Sequence, residues 1–208
     1  MTRLMDVNQT GMEFTRGWFR NRNLETFRTY VYPVWAGKPI VYLELGIFEA
    51  MSLCWMMQRV LTHPESRAVG IDPWLQTTKL DEATMEAVRQ RAIHNTQAWR
   101  SRCTLIRGNS AEVLRRMVTK QGYAGITPGS VDLCMVDGGH HSLAVLDDTR
   151  LVYQLLKIGG QMICDDVEND RPKQDHVKEG LALFLREVEG KMKLEWKHHY
   201  CECYSKVI

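Results

Sequence analysis

No apolar run in this chain approaches the roughly 18 residues that a membrane-spanning helix requires. The opening Met1-Thr2-Arg3-Leu4-Met5-Asp6 lacks the apolar stretch of a secretory leader, so neither a membrane partner nor export is expected. Charge of one sign is also missing. The 27 Lys and Arg residues nearly balance 25 Asp and Glu, for a net charge of +2. A dedicated nucleic-acid binder would gather its basic residues into a patch or stripe, whereas Arg115-Arg116 fits a solvated helix face. Proline is scarce, and no repeat, low-complexity tract or linker breaks the chain. One domain is enough for 208 residues.

Cysteine is present, but not in a framework. Cys54, Cys103, Cys134 and Cys164 lie in or beside apolar runs, where a thiol behaves as a small hydrophobe. Reduced thiols in a cytoplasmic protein are the economical expectation. His198-His199 with Cys201 and Cys203 lacks the spacing of a zinc finger; alternating residues on a terminal strand account for it better.

Two regions follow from the pattern. Residues 1–39 carry Phe14, Trp18, Phe19, Phe27, Tyr30, Tyr32 and Trp35 without a clean period. They read as one or two helices, then a loop bounded by Pro33 and Pro39. This aromatic-rich extension either packs on the main body or forms a lid over a site. Residues 40–208 alternate regularly. Strands are expected at 40–43, 68–71, 104–106, 131–136 and 161–164, with helices between them at about 49–61, 82–99, 111–119 and 144–156. Such alternation means βαβ units and a mainly parallel sheet, whose doubly buried strands are continuously apolar. Gly159-Gly160 is expected to stop the fourth of these helices near Lys157, and Ser110 to cap the third. After Asp165 come a polar loop with Pro172, a helix near 177–188, and two runs at 194–197 and 200–207 that form an antiparallel hairpin at the sheet edge.

Ligands of open α/β sheets bind beyond the carboxyl ends of the strands, so the residues there carry the chemistry. The first strand leads into Glu44-Leu45-Gly46-Ile47-Phe48-Glu49-Ala50-Met51-Ser52. Gly46 permits a tight turn and close backbone approach, and the following helix offers free N–H donors. The second and third glycines of a dinucleotide fingerprint are missing, so no pyrophosphate cradle is evident. The second strand ends in Asp72-Pro73-Trp74. Asp72 suits the hydroxyls of a ribose, or else simply starts a turn, and Trp74 offers a flat face to an adenine. Asp137-Gly138-Gly139-His140-His141 follows the fourth strand and Asp165-Asp166 the fifth. Three carboxylates at neighbouring strand ends repel one another unless a hard cation such as Mg2+ or Ca2+, or a ligand's ammonium, stands between them. One histidine of the pair suits a general base, with a hydrogen-bonded turn residue as the plain alternative.

Taken together, residues Glu44 to Val167 resemble the class I S-adenosylmethionine (SAM) methyltransferases, in particular the small-molecule O-methyltransferases that act on catechols and macrolide sugars. The resemblance implies a Rossmann-like α/β fold: a mainly parallel seven-stranded sheet with a C-terminal antiparallel hairpin and an N-terminal helical extension. It implies that Glu44, Gly46, Phe48 and Ser52 line the methionine part of SAM. Asp72 and Trp74 would then hold ribose and adenine, Asn109 and Ser110 would border the adenine, and Asp137 would follow. In metal-dependent relatives Asp137, Asp165 and Asp166 bind Mg2+, His140 falls where the basic residue stands, and Asp148 matches an acid of the next helix. Ala50 departs from the pattern by replacing a second glycine, and Asp166 replaces an asparagine. The implied activity is methyl transfer to a hydroxyl of a small molecule, catalysed by His140 and Asp137, in a protein that forms a homodimer. A non-catalytic SAM-sensing protein and a related metal-dependent hydroxylase are the competing readings.

Overall fold

The computed structural model describes residues 10–76, 80–167 and 176–208. A 3-10 turn (Trp18–Arg20) opens a helical stretch made of α1 (Arg22–Thr26), a π-helical turn (Phe27–Val31) and α2 (Tyr32–Trp35). The chain then alternates: β1 (Val41–Leu45), α3 (Met51–Arg59), β2 (Arg67–Asp72), α4 (Glu82–Thr96), β3 (Cys103–Arg107), α5 (Ser110–Met117), β4 (Val131–Val136), α6 (Ser142–Leu155) and β5 (Leu156–Cys164). It closes with α7 (His176–Glu187), β6 (Met192–His198) and β7 (Cys201–Lys206).

The seven strands form one sheet in the order β3-β2-β1-β4-β5-β7-β6. Strands β1 to β5 are parallel, and β7 enters antiparallel between β5 and β6. This is the expected Rossmann-like α/β fold, mainly parallel with a C-terminal antiparallel hairpin. Successive residues of β1 send side chains to opposite faces: Tyr42 joins a core with Phe27, Trp55 and Met56, while Leu43 and Leu45 join one with Val113, Leu146 and Phe184. Both faces are thus covered by helices, the condition for continuously apolar strands. The strand order reverses between β1 and β4, and a crevice opens at their carboxyl ends. Among the described residues no helix is long and apolar enough to cross a membrane.

Three local expectations need correction. Gly159-Gly160 does not stop α6, which ends at Leu155 and passes directly into β5. The glycines instead occupy a bulge where the β4–β5 register shifts, with Gly159 at φ +80° and Gly160 against the Val131 carbonyl. Bulges favour such residues because the extra length needs a left-handed or crowded backbone. Pro33 does not bound a loop but sits in the first turn of α2, where its missing N–H is harmless. Ser110 is not the cap of α5. Asn109 caps it, its extended backbone letting Oδ1 accept from the Glu112 N–H at 3.3 Å. The expected Pro172 loop lies outside the described residues.

The N-terminal stretch packs Phe19, Leu24, Phe27 and Val31 into the core beside α3. Phe19 and Phe27 meet edge to face at 5.2 Å, and both approach Trp55. Glu49 anchors the same segment further in. Its carboxylate accepts from Thr15 N and Oγ1, both at 2.7 Å, and from Arg91 Nε at 2.6 Å.

Candidate functional site

The loops after β1, β2 and β4 meet through backbone contacts. Gly46 donates its N–H to Ile71 at 2.8 Å, and Asp137 donates to the Leu45 carbonyl at 3.0 Å. A Cβ on Gly46 would stand 1.8 Å from the Asp137 carbonyl oxygen, and Gly46 has φ +82°. Only glycine satisfies both conditions. Asp72 ties β1 to β2: Oδ2 accepts from Phe48 N–H at 2.9 Å and Oδ1 from Trp74 N–H at 2.7 Å. Gly108 donates to the Asp72 carbonyl at 3.1 Å, which brings the Asn109-Ser110 segment alongside. The expected convergence of Gly46, Asp72 and Asp137 is present.

Backbone strain concentrates at this crevice. Phe48, Ala50, Trp74 and Asp166 all have positive φ without being glycine, each at a cost of about 1–2 kcal/mol. Ala50, at φ 63°, adopts the left-handed conformation that a glycine would take without penalty.

Carboxylates crowd the same space. Glu44 is buried in β1, where its oxygens accept from Tyr42 Oη at 2.8 Å and from the Ser52 hydroxyl. Burial pushes Glu44 up from 4.5 to about 7, although both hydroxyls pull it down. Asp72 is raised by burial, against the backbone N–H groups of Phe48, Trp74 and Ile47. For Asp137, enclosure by the loops raises the carboxyl well above its ordinary value, and Asp165, Asp166, Glu44 and Asp72 raise it further. Its side chain nevertheless keeps 34% of its surface open. A ligand can therefore reach the one carboxylate on which the field of the other four converges.

Of the three carboxylates expected to hold a metal, Asp137 and Asp166 come together with His140. Donor atoms of Asp137, His140 and Asp166 lie within 4.8 Å of one another. His140 Nε2 stands 3.5 Å from Asp166 and 4.0 Å from Asp137. Asp165 stands outside that trio, though beside Asp137: it accepts from Asn23 Nδ2 at 2.5 Å and from the Cys201 thiol at 3.1 Å. His141 is outside the trio, at the N-cap of α6, with its ring 6.3 Å from His176.

Trp74 is placed differently from the expectation. It is 2% exposed, with its indole N–H donated to the Phe48 carbonyl at 2.9 Å. Its ring packs in the core and braces the Phe48 turn, so its face is not open to an adenine. Ser110 donates to Asp148 at 2.9 Å; burial first, and then Asp147, lift Asp148 to about 6 against the pull of that hydroxyl. Glu49 and Asn23 escaped the sequence reading, and Cys201 was read there only as a residue of the terminal strand. Glu49 had one signal, an acid inside the apolar Ile47–Met51 stretch.

The buried Glu44 makes a prediction about stability. Between the ordinary 4.5 and about 7 the folded protein holds a proton that the unfolded chain releases, so stability falls as pH rises through that window. The full shift corresponds to about 3 kcal/mol. Glu44→Gln should flatten this part of the profile, measured by urea unfolding at pH 5 and pH 8. An unaltered slope in the variant would place the titration elsewhere.

Comparison with known proteins points one way. A family model described as "Methyltransferase domain" matches residues 43–167, which include every loop of the crevice from β1 to β5. An uncharacterized protein of Acanthamoeba polyphaga mimivirus is 24% identical over 168 residues, covering 79% of this chain and 68% of that protein. Among solved structures, an inferred rRNA-methylase from Clostridium thermocellum superposes with TM-score 0.61 at 15% identity, over 90% of this chain and 97% of that one. An inferred O-methyltransferase from Klebsiella pneumoniae gives TM-score 0.61 at 14% identity, over 99% and 89%. MycE, from the mycinamycin biosynthetic pathway and bound to Mg and S-adenosylhomocysteine, gives 0.56 at 18% identity over 93% of this chain and 51% of its own. At these identities the structures show a shared fold, and the family model adds the sequence match over the crevice. The strand order, the Gly46 turn and the matched residues 43–167 together show that the chain belongs to the class I SAM-dependent methyltransferases.

Proposed function

We propose that this methyltransferase moves the methyl group of SAM to a hydroxyl of a small molecule with the help of a divalent cation. The observation that carries the reading is the open Asp137 carboxylate at the meeting point of Asp165, Asp166, Glu44 and Asp72, whose mutual repulsion a cationic ligand would offset. SAM brings two cationic groups, an ammonium and a sulfonium, and the sulfonium supplies an activated methyl group with its own leaving group. In this reading Gly46 admits the methionine end, next to Glu44, Phe48 and Ser52. Asp72 keeps lone pairs for the ribose hydroxyls, and Asn109 and Ser110 border the base. Trp74 supports the turn from behind.

The residues fit a hard dication as well. Asp137 and Asp166 offer carboxylate oxygens, and Mg2+ commonly uses one or two carboxylates while keeping several waters. Asp165, whose two oxygens each accept one hydrogen bond, from Asn23 and Cys201, keeps lone pairs beside them. Such an ion would lower the pKa of an acceptor hydroxyl. His140 is half exposed and oriented by Asp137 and Asp166, so it is placed to take that proton. Trp18, 66% exposed with its ring 4.6 Å from Phe48, stands at the mouth, where the N-terminal segment would exclude water from the acceptor. The six free, buried cysteines suit a reducing, cytoplasmic setting.

Calorimetry with SAM and S-adenosylhomocysteine, with and without Mg2+, tests the reading. SAM should bind saturably and release protons near pH 7, because a cation draws Glu44, raised to about 7, toward its ionised form. The release is read from the dependence of binding heat on buffer ionisation. Asp72→Ala should weaken binding at least tenfold. Formation of S-adenosylhomocysteine with a panel of small hydroxyl acceptors and with RNA then fixes the acceptor class. Absence of binding at millimolar SAM would overturn the proposal.

A further inference from the structure

Away from this crevice, the β6–β7 turn and α1 bring a second group of ligating side chains together. Donor atoms of Glu25, His198 and His199 lie within 4.8 Å of one another. Glu25 comes from the N-terminal extension, and the histidines sit at the end of β6 and in the turn to β7. His199 Nε2 stands 3.2 Å from Glu25 Oε2. The two imidazoles face each other in a T arrangement with centroids 4.1 Å apart. Three features hold this geometry. His199 occupies the left-handed region at φ 51°, Thr26 Oγ1 stands 2.9 Å from Nδ1 of His198, and Tyr30 stacks on Trp196 at 4.9 Å. Arg22 lies over the Tyr200 ring at 4.5 Å and braces the turn from the same helix.

We propose that Glu25, His198 and His199 bind a transition-metal dication of the zinc class, which clamps the N-terminal helix to the β6–β7 hairpin. Two imidazoles and a carboxylate suit zinc and its d-block neighbours; they suit Mg2+ and Ca2+ poorly, since those ions prefer all-oxygen shells. The neighbouring thiols take no part. Cys201 faces Asp165, and Cys203 is buried in the sheet, where burial pushes both thiols far above their ordinary value. With Glu25 about two-thirds exposed, water is available to complete the tetrahedron. The clamp has a direct line to the crevice. Asn23, two residues before Glu25, holds the Asp165 carboxylate, so metal at the hairpin fixes the helix that positions Asp165. The proposal does not depend on the identity of the methyl acceptor or on SAM binding.

The test uses tag-free, chelator-treated full-length protein titrated with Zn2+ alone by calorimetry and with Co2+ alone by visible absorption. One equivalent should bind at this site, over and above any taken by the Asp137–His140–Asp166 group, with the absorption of a low-coordinate Co2+–imidazole site. Saturating Zn2+ should raise the melting temperature by roughly 5 °C. Glu25→Gln with His199→Asn should weaken both metals at least tenfold. The substitutions are shape-conserving and asparagine tolerates the left-handed turn, so circular dichroism of the double variant should match the parent. Asp166→Asn should leave this binding intact, which separates it from the Asp137–His140–Asp166 group. Absence of saturable binding by the parent protein overturns the clamp. So does undiminished affinity in the double variant, or a loss confined to Asp166→Asn.

Discussion

Gly46→Ala is expected to weaken SAM binding by at least two orders of magnitude and to lower the melting temperature by roughly 10 °C. Two effects add at this position. The backbone is held at φ +82°, and the new methyl would lie 1.8 Å from the Asp137 carbonyl oxygen and 2.6 Å from its carbon. The first costs about 1–2 kcal/mol. The second cannot be absorbed by a flexible side chain, because the obstructing atoms are backbone, and overpacking of this kind costs about 1–3 kcal/mol. Relief requires the β1 and β4 loops to part, which disrupts the Asp137 N–H to Leu45 bond and carries the Asp137 carboxylate away from its partners. Gly190→Ala is the control. Gly190 has φ +73° with nothing within 4 Å, so it bears the backbone cost without the collision. Thermal melts and calorimetry on both variants separate the terms. Equal losses in the two would mean that the approach of the strand-end loops contributes nothing to the site.

The sheet was readable because parallel strands buried on both faces leave continuous apolar runs, and amphipathic helices of ordinary length separate them. The crevice was readable for a related reason. Once the strands are placed, their carboxyl ends lie on one side of the sheet, so Gly46, Asp72 and Asp137 had to come near one another. What the sequence did not disclose is how individual side chains settle among distant partners. Asp165 looked like Asp137 and Asp166 in sequence, yet Asn23 and Cys201 claim its oxygens. No local pattern announces contacts between α1, β7 and the end of β5. Trp74 looked like a ligand platform, but the Phe48 carbonyl offered its indole N–H a partner and the core accepted its ring. At the start of α5 two adjacent polar residues could each cap the helix. Asp148, a buried acid on α6, drew Ser110 and left the cap to Asn109. Glu25 was an unremarked surface acid until the fold laid α1 against His198 and His199.

Asp137→Asn should give the opposite balance from Gly46→Ala, in that the fold gains and the function fails. In the folded protein the Asp137 carboxyl is lifted by its enclosure, then by Asp165, Asp166, Glu44 and Asp72. A carboxyl raised on folding holds its proton in the native state after the unfolded chain has released it, so stability is lost as pH rises above the ordinary carboxylate value. Removing the charge removes that loss. At pH 8 the variant should melt a few degrees above the parent, and the difference should shrink as pH falls and vanish only below the ordinary carboxylate value of 3.8, where the unfolded chain is protonated too. The backbone contact to Leu45 does not involve the side chain and survives the change. In the proposed reaction the same carboxylate receives the cationic ligand and orients His140, so S-adenosylhomocysteine and SAM affinity should fall at least tenfold, with SAM falling further because of its sulfonium. Melting curves across pH and paired calorimetry check both halves. A variant that loses stability while keeping its affinity would show that Asp137 serves the loop and not the ligand. A gain at pH 8 joined to loss of binding is the signature of a site in which folding tolerates crowded negative charge that a cation relieves.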